Sequence, residues 1–220
     1  MKSTDCRSSR LRLIRFSDVS PCHSCPQAGQ CPLPPVREHS AEAFQPLARL
    51  EPGETLFSSG QPFRNLYAVR RGILARWQVN DEHQPTVVGF YLPGELAGLG
   101  GFAYGRYWFS AVAIQPAIVC PLDSERLAAT DSPIGMQVLK SAMAWQAKVD
   151  ARQHRYLMLA EPRRKVVDCL KALRQRSEAV TPGSGEQLRI SVPLMANHLR
   201  LSVATVRDLV AHDAADQVAL

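Results

Sequence analysis

Thr86-Val87-Val88-Gly89-Phe90-Tyr91-Leu92-Pro93-Gly94 reads as a short apolar strand running into a turn. β-Branched and aromatic residues dominate its first part, and Pro-Gly then combines a fixed φ with a residue free to adopt a positive one. The same alternation of strand and punctuation extends in both directions. Thr55-Leu56-Phe57, Leu66-Tyr67-Ala68-Val69, Gly72 to Val79 and Ser110 to Leu122 have strand character, and Pro52-Gly53, Ser59-Gly60-Gln61-Pro62 and Asn80-Asp81-Glu82 have turn chemistry. Many short strands at close spacing predict a barrel or jelly roll. Upstream of them, Ala41 to Leu50 reads as a short helix.

Downstream the period changes. Asp131-Ser132-Pro133 is a helix start, and a long helix is expected from there to about Leu159. Val138, Ala142, Trp145, Val149, Arg152, Tyr156 and Leu159 fall on alternating steps of four and three, the seam of a helix that pairs with its own copy. The competing reading is an amphipathic helix lying on its own barrel. In a parallel pair Arg152 would meet its own copy, so it is expected to act as a like-charge brake on dimerisation. Glu161-Pro162 breaks the helix, and Arg163 to Arg176 forms another, with Val166, Val167, Leu170 and Leu173 on one side. Leu188 to Val192 suits a short strand. Leu194 to Leu199 and Ser202 to Ala211 suit two helices on a very short connection, a helix-turn-helix.

The N-terminal arm carries Cys22, Cys25 and Cys31 among prolines and a glycine that exclude a helix. A Cys-x-x-Cys pair turns two sulfurs toward one centre, and a third cysteine close by can join them. Thiolates select zinc or iron–sulfur clusters, both of which usually take four protein ligands. His23 reads as a solvated turn residue, Cys169 as a core residue and Cys6 as a free thiol.

The chain has 220 residues, a formal charge of +6 and six cysteines. The positive balance favours anionic partners, nucleic acid among them. No apolar run is long enough for a signal peptide or a membrane span, so the expectation is a cytoplasmic protein with no membrane partner. In that compartment the cysteines are thiols or metal ligands rather than disulfides. No nucleophile–base pair, phosphate-cradling loop or converging carboxylates argue for an enzyme.

This order of cysteine arm, β-barrel, long helix and helix-turn-helix resembles the FNR branch of the CRP/FNR transcription regulators. The resemblance is carried by the spacing Cys22-x2-Cys25-x5-Cys31 and by Gly53-Glu54-Thr55-Leu56-Phe57, Arg71-Gly72 and Gly89-Phe90-Tyr91-Leu92-Pro93-Gly94-Glu95-Leu96. It implies an α+β fold: an arm over 1–36, a jelly-roll sensory barrel over 37–130, a dimerisation helix over 131–160 and a winged-helix-type DNA-binding domain over 161–220. It also implies a fourth cluster ligand late in the barrel, where Cys120 stands, and a [4Fe-4S] cluster on Cys22, Cys25, Cys31 and Cys120, with zinc as the alternative occupant.

Cyclic-nucleotide-binding relatives place an arginine before a Ser/Thr-Ala pair. Here Phe109 precedes Ser110-Ala111, so the phosphate lacks its cation on that wall. The resemblance makes Ser202, Val203, Thr205 and Arg207 the candidate DNA contacts, with Arg163, Arg164 and Arg189 on phosphates. The chain departs from the branch at the recognition positions: Ala204, Arg207 and Asp208 stand where it carries Glu, Ser and Arg. Arg200 stands at its turn glycine, and residues 210–220 are too short for the usual wing. The expected function is a homodimeric, oxygen- or redox-responsive regulator of a palindromic operator, with RNA polymerase as a further candidate partner. The rivals are a structural-zinc regulator and a non-DNA-binding module that titrates intact relatives.

Overall fold

The computed structural model describes residues 12–14, 22, 25, 27, 31, 33, 44–79, 83–129, 133–180 and 189–215. The strands are β1 (Arg12–Ile14), β2 (Leu47–Leu50), β3 (Thr55–Phe57), β4 (Asn65–Arg71), β5 (Leu74–Val79), β6 (Pro85–Tyr91), β7 (Leu96–Ala97), β8 (Ser110–Ala113) and β9 (Ala117–Asp123). They form two antiparallel sheets, ordered β1-β2-β9-β4-β7 and β3-β8-β5-β6. The architecture is the expected jelly-roll-like α+β fold.

Side-chain alternation explains three separate cores. Tyr67 and Val69 of β4, Ala117 and Val119 of β9 and Leu74 of β5 face inward between the sheets, with Phe57 and Tyr107 stacked at a centroid distance of 4.0 Å. Their neighbours point the other way. Leu66, Ala68 and Leu122 face out from the first sheet onto Leu33 of the arm and Ala142 of a helix. Ile73, Ala75 and Val87 face out from the second sheet onto the C-terminal helices. Both faces of each sheet are therefore covered, and the central strands read as apolar runs rather than alternations.

The helices are α1 (Gly101–Tyr104), α2 (Ser124–Ala129), α3 (Pro133–Leu157), α4 (Pro162–Val180), α5 (Val192–Leu199) and α6 (Val203–Ala215). Helices α3 to α6 occupy the expected places, whereas α1 and α2 had no sequence expectation. Three local expectations are corrected. Within Ala41 to Leu50 the described residues hold a bridge between Phe44 and Leu122 and the strand β2, because pairing with β9 and burial of Leu47, Ala48 and Leu50 override helix propensity. Ser110 to Leu122 is two strands in different sheets, divided at Ile114-Gln115-Pro116. Arg189 to Ser191 is not a strand, and α5 begins at Val192. Residues 210–215 continue α6, and no strand follows it among the described residues.

The pairing seam on α3 is also corrected. Ala142 packs on the first sheet's outer face, Val149 is buried, and Tyr156 lies in the core beneath α4 to α6. Leu159 follows the helix and joins that same core. Trp145, 38% exposed, donates from Nε1 to Glu95 Oε1 at 3.4 Å. This row holds α3 to its own chain; the side chain of Val138 lies outside the described residues. Arg152 is exposed beside Asp168, Lys171 and Gln175 of α4. The exposed apolar row of α3 is another one, with Met136, Met143, Ala147 and Ala151, followed by Met158 just past the helix end.

Strand β6 is a sheet edge, and side chains satisfy its outward backbone groups. A bulge at Val88 lies where Arg76 pairs with Gly89 and Trp77 with Val87. Its carbonyl accepts from Arg76 Nη2 at 3.2 Å and from Gln153 Nε2 of α3. Glycine suits position 89, where φ is +156° and an L side chain is strained. Helix α5 docks next to the bulge. Asn197 Oδ1 accepts from Val87 N at 2.6 Å, and its Nδ2 donates to Pro85 O at 3.1 Å. The Asn197 amide thus pairs with β6 as a neighbouring strand would.

His198 completes this dock. Its Nδ1 lies 3.0 Å from Val87 O, and a carbonyl only accepts, so Nδ1 carries the proton. Nε2 then accepts from Tyr156 Oη at 2.8 Å. Burial, opposed by the Val87 hydrogen bond and aided by Arg76 and Arg176, lowers the imidazole pKa from 6.5 to about 4. The unfolded chain therefore binds the extra proton first. The neutral-histidine contribution is full above pH 6.5 and is lost as pH falls toward 4. Between pH 7 and pH 5 the loss is expected to be about 2 kcal/mol. Urea unfolding of wild type and His198→Gln at the two pH values checks this: only the wild type should show that part of the decline.

Candidate functional site

Cys120 sits on β9 directly opposite Ala68 of β4, on the outer face of the first sheet. The buried side chain of Leu33 anchors the arm to that face, and Cys31 packs beside it. Two backbone turns shape the arm: Cys25 N donates to Cys22 O at 3.1 Å, and Cys31 N to Gln27 O at 2.7 Å. Cys22, Cys25, Cys31 and Cys120 are not in disulfides, and each is half-buried. Burial, helped by the charges of Cys25 and Cys22 and opposed by a Leu33 backbone hydrogen bond, pushes Cys31 up to about 12. Burial likewise pushes Cys120 up to about 12; Cys31, Cys25 and Cys22 add to the rise and Arg70 opposes it. The fold thus places Cys31 and Cys120 on one apolar cluster, with Cys22 and Cys25 on the backbone turn that leads to it.

No group of three or more His, Cys, Asp or Glu side chains among the described residues is drawn tightly enough to hold a metal ion. The donor chemistry nevertheless fits a thiophilic metal or cluster. Besides burial, the groups that act on Cys120 are the thiols of Cys31, Cys25 and Cys22 and the guanidinium of Arg70. Crowded, buried thiols stay neutral until a bound cation compensates their charge. Gln27, between Cys25 and Cys31, is 2% exposed, and its Oε1 has no hydrogen-bond partner among the described residues. Sequence reasoning passed over this residue. Cys169 is fully buried, as expected for a core residue. Cys6 and His23 lie outside the described residues.

At the other end of the chain, α5 and α6 form the helix-turn-helix. Arg200 closes α5 at φ 56° and ψ 45°, the left-handed region that glycine adopts at least cost. Leu201 N donates to Ala196 O at 3.0 Å across this turn. Ser202 Oγ caps α6 by accepting from Thr205 N at 3.0 Å. Val206 is buried against the rest of the domain, and Ser202, Val203, Ala204, Arg207 and Asp208 are exposed on the first turns of α6, with Thr205 half-buried. Arg163, Arg164 and Arg189 are exposed as well.

The barrel cleft beside α3, about 200 Å³, contains a cation that sequence reasoning did not foresee. Arg76 of β5 lies 4.9 Å from the Phe109 ring centroid and 5.8 Å from that of Tyr91, and its Nη2 donates to Asp150 Oδ1 at 3.0 Å. Asp150 and Val88 O both engage Nη2 of the guanidinium, while its buried Nε has no hydrogen-bond partner among the described residues.

A second unforeseen group is the ion pair of Glu95 and Arg176, 4% and 5% exposed. Arg176 Nε donates to Oε1 at 2.8 Å and Nη2 to Oε2 at 2.7 Å, and Nη2 also donates to Phe90 O at 2.7 Å. Oε2 further accepts from Leu92 N at 3.0 Å. Burial opposes the arginine's charge, but the Glu95 carboxylate outweighs it and holds the guanidinium pKa above its ordinary value.

Residues 47–130 match the cyclic nucleotide-binding domain family. The transcriptional activator protein anr of Pseudomonas aeruginosa is 30% identical over 201 residues, which cover 88% of this chain and 82% of that protein. The chain belongs to the CRP/FNR family. Transcriptional activator protein FnrA of Stutzerimonas stutzeri is 32% identical over 118 residues, 52% of this chain and 48% of FnrA. Among solved structures, FixK2 of Bradyrhizobium japonicum superposes with a TM-score of 0.67 at 18% identity, covering 79% of this chain and 85% of FixK2, which shows a shared fold. CRP/FNR proteins are transcriptional regulators that bind DNA and act as dimers, and this chain is a regulator of that type. No helix among the described residues is long and apolar enough to cross a membrane.

Proposed function

We propose that this CRP/FNR chain is an oxygen- or redox-responsive regulator whose Cys22, Cys25, Cys31 and Cys120 hold a [4Fe-4S] cluster. The observation carrying the reading is that Cys31 and Cys120 pack on one apolar cluster, with Cys22 and Cys25 on the backbone turn that leads to it. When bound, the cluster supplies an oxidant-labile centre. The chain's own residues do the rest. Leu33 anchors the arm, Cys120 offers a ligand from a rigid strand, and Ala142 and Leu139 put α3 against the same apolar cluster. A change in how the arm packs therefore bears directly on α3.

Dimerisation uses the exposed row Met136, Met143, Ala147, Ala151 and Met158, and a two-fold dimer presents two α6 helices to half-sites of a palindrome. Ser202, Val203, Thr205 and Arg207 contact the DNA, with Arg207 suited to guanine, while Arg163, Arg164 and Arg189 meet phosphates. Selection from random-sequence DNA, with protein kept anaerobic or exposed to air, tests the reading. A palindrome enriched by the anaerobic protein and lost after air exposure is expected. Equal enrichment under both conditions contradicts it.

A further inference from the structure

We propose that Glu95 is the joint through which the state of the thiol site reaches the DNA-binding helices, an inference that rests on the four cysteines being the sensing site. A single row crosses the first sheet. Cys120 of β9 pairs with Ala68 of β4, and Ala68 pairs with Leu96 of β7. Cys31, Cys120, Ala68 and Leu96 all belong to one apolar cluster, and Glu95 is the residue before Leu96. Close-packed interiors transmit displacement because no void absorbs it.

On its other side Glu95 gathers groups from three places. Leu92 N comes from the turn before it, Trp145 Nε1 from α3 and Arg176 from α4. The bidentate arginine bond fixes the carboxylate plane, and the Trp145 contact at 3.4 Å is the longest of the set. Arg176 in turn binds Phe90 O of β6. Val166, Cys169, Leu170 and Leu173, on the same helix as Arg176, pack in one core with Met195, Leu199 and Val206 of the helix-turn-helix. A shift of Leu96 therefore moves Glu95, and Glu95 carries α4 and the helices packed on it. A carboxylate serving only to hold the barrel together would leave DNA affinity indifferent to the thiol site.

Trp145 is a built-in reporter once Trp77→Phe and Trp108→Phe remove the other tryptophans. In this parent, Trp145 emission and DNA affinity are measured with the cluster present and absent. They are measured again in cluster-free reduced protein with and without Cd2+, a thiophilic probe for the same four sulfurs. Iron, sulfide and bound Cd2+ are assayed separately. The parent is expected to change emission on loading and to change DNA affinity by about 5- to 150-fold.

Glu95→Gln/Arg176→Met removes both charges while keeping an acceptor for Leu92 N. It is expected to load the thiol site normally, to lose the emission response and to reduce the affinity ratio to about twofold or less. Glu95→Gln/Arg176→Gln, a second neutral pair, serves if that double variant does not fold. An undiminished ratio in these variants overturns the joint, as does a parent in which neither cluster nor Cd2+ alters emission or affinity. A parent that takes up no iron but answers to Cd2+ through Glu95 keeps the joint and overturns the cluster reading instead.

Discussion

Arg176→Met is expected to cost about 3–5 kcal/mol of folding stability, while Glu95→Gln/Arg176→Met recovers most of that loss. The reason is an asymmetry of burial. With the pair intact, each oxygen of Glu95 has a short charge-assisted partner, and Phe90 O is satisfied as well. Removing the guanidinium leaves a carboxylate at 4% exposure with only Leu92 N and the longer Trp145 contact. Removing both charges leaves no ion to desolvate, and an apolar side chain of similar length fills the space. Urea unfolding of the three proteins at neutral pH measures the difference. Equal destabilisation of single and double variants would mean that packing, not the unpaired charge, accounts for the loss.

Cys120→Ser is expected to remove the cluster altogether, from about four irons per chain to near none, because a cubane cluster uses four thiolates and serine is a poor substitute. Cys22→Ser, Cys25→Ser and Cys31→Ser should each do the same. Cys169→Ser should leave iron content unchanged, since Cys169 is fully buried in the core beneath α4 to α6. Its cost should appear as reduced stability. Iron analysis of the anaerobically purified variants separates these outcomes, and full iron in Cys120→Ser would remove that residue from the site.

The strands were legible because turn chemistry brackets apolar runs that match β3 to β6. The strand break at Ile114-Gln115-Pro116 was not, because apolar residues continue on either side of it. Leu47-Ala48-Arg49-Leu50 favours a helix locally, and pairing with β1 and with a strand some 70 residues away makes it β. The arm's thiols announced themselves by spacing, whereas Cys120 needed a family resemblance to stand out. Helix α3 misled for a different reason. It carries two apolar rows, and periodicity says that a row exists without saying what it faces. Ala142, Val149 and Tyr156 face the chain's own cores, while Met136 and Met143 face outward. The Glu95–Arg176 pair spans 81 residues, and neither partner's surroundings in sequence mark it as buried.

Four thiols on the arm and β9 are the proposed seat of an iron–sulfur cluster. Purification without air, followed by iron, zinc and acid-labile sulfide analysis alongside an absorbance spectrum, tests it most directly. The expected result is a brown protein with about four irons and about four sulfides per chain, bleaching on exposure to air. A colourless protein that carries one zinc per chain, or no metal at all, would contradict it.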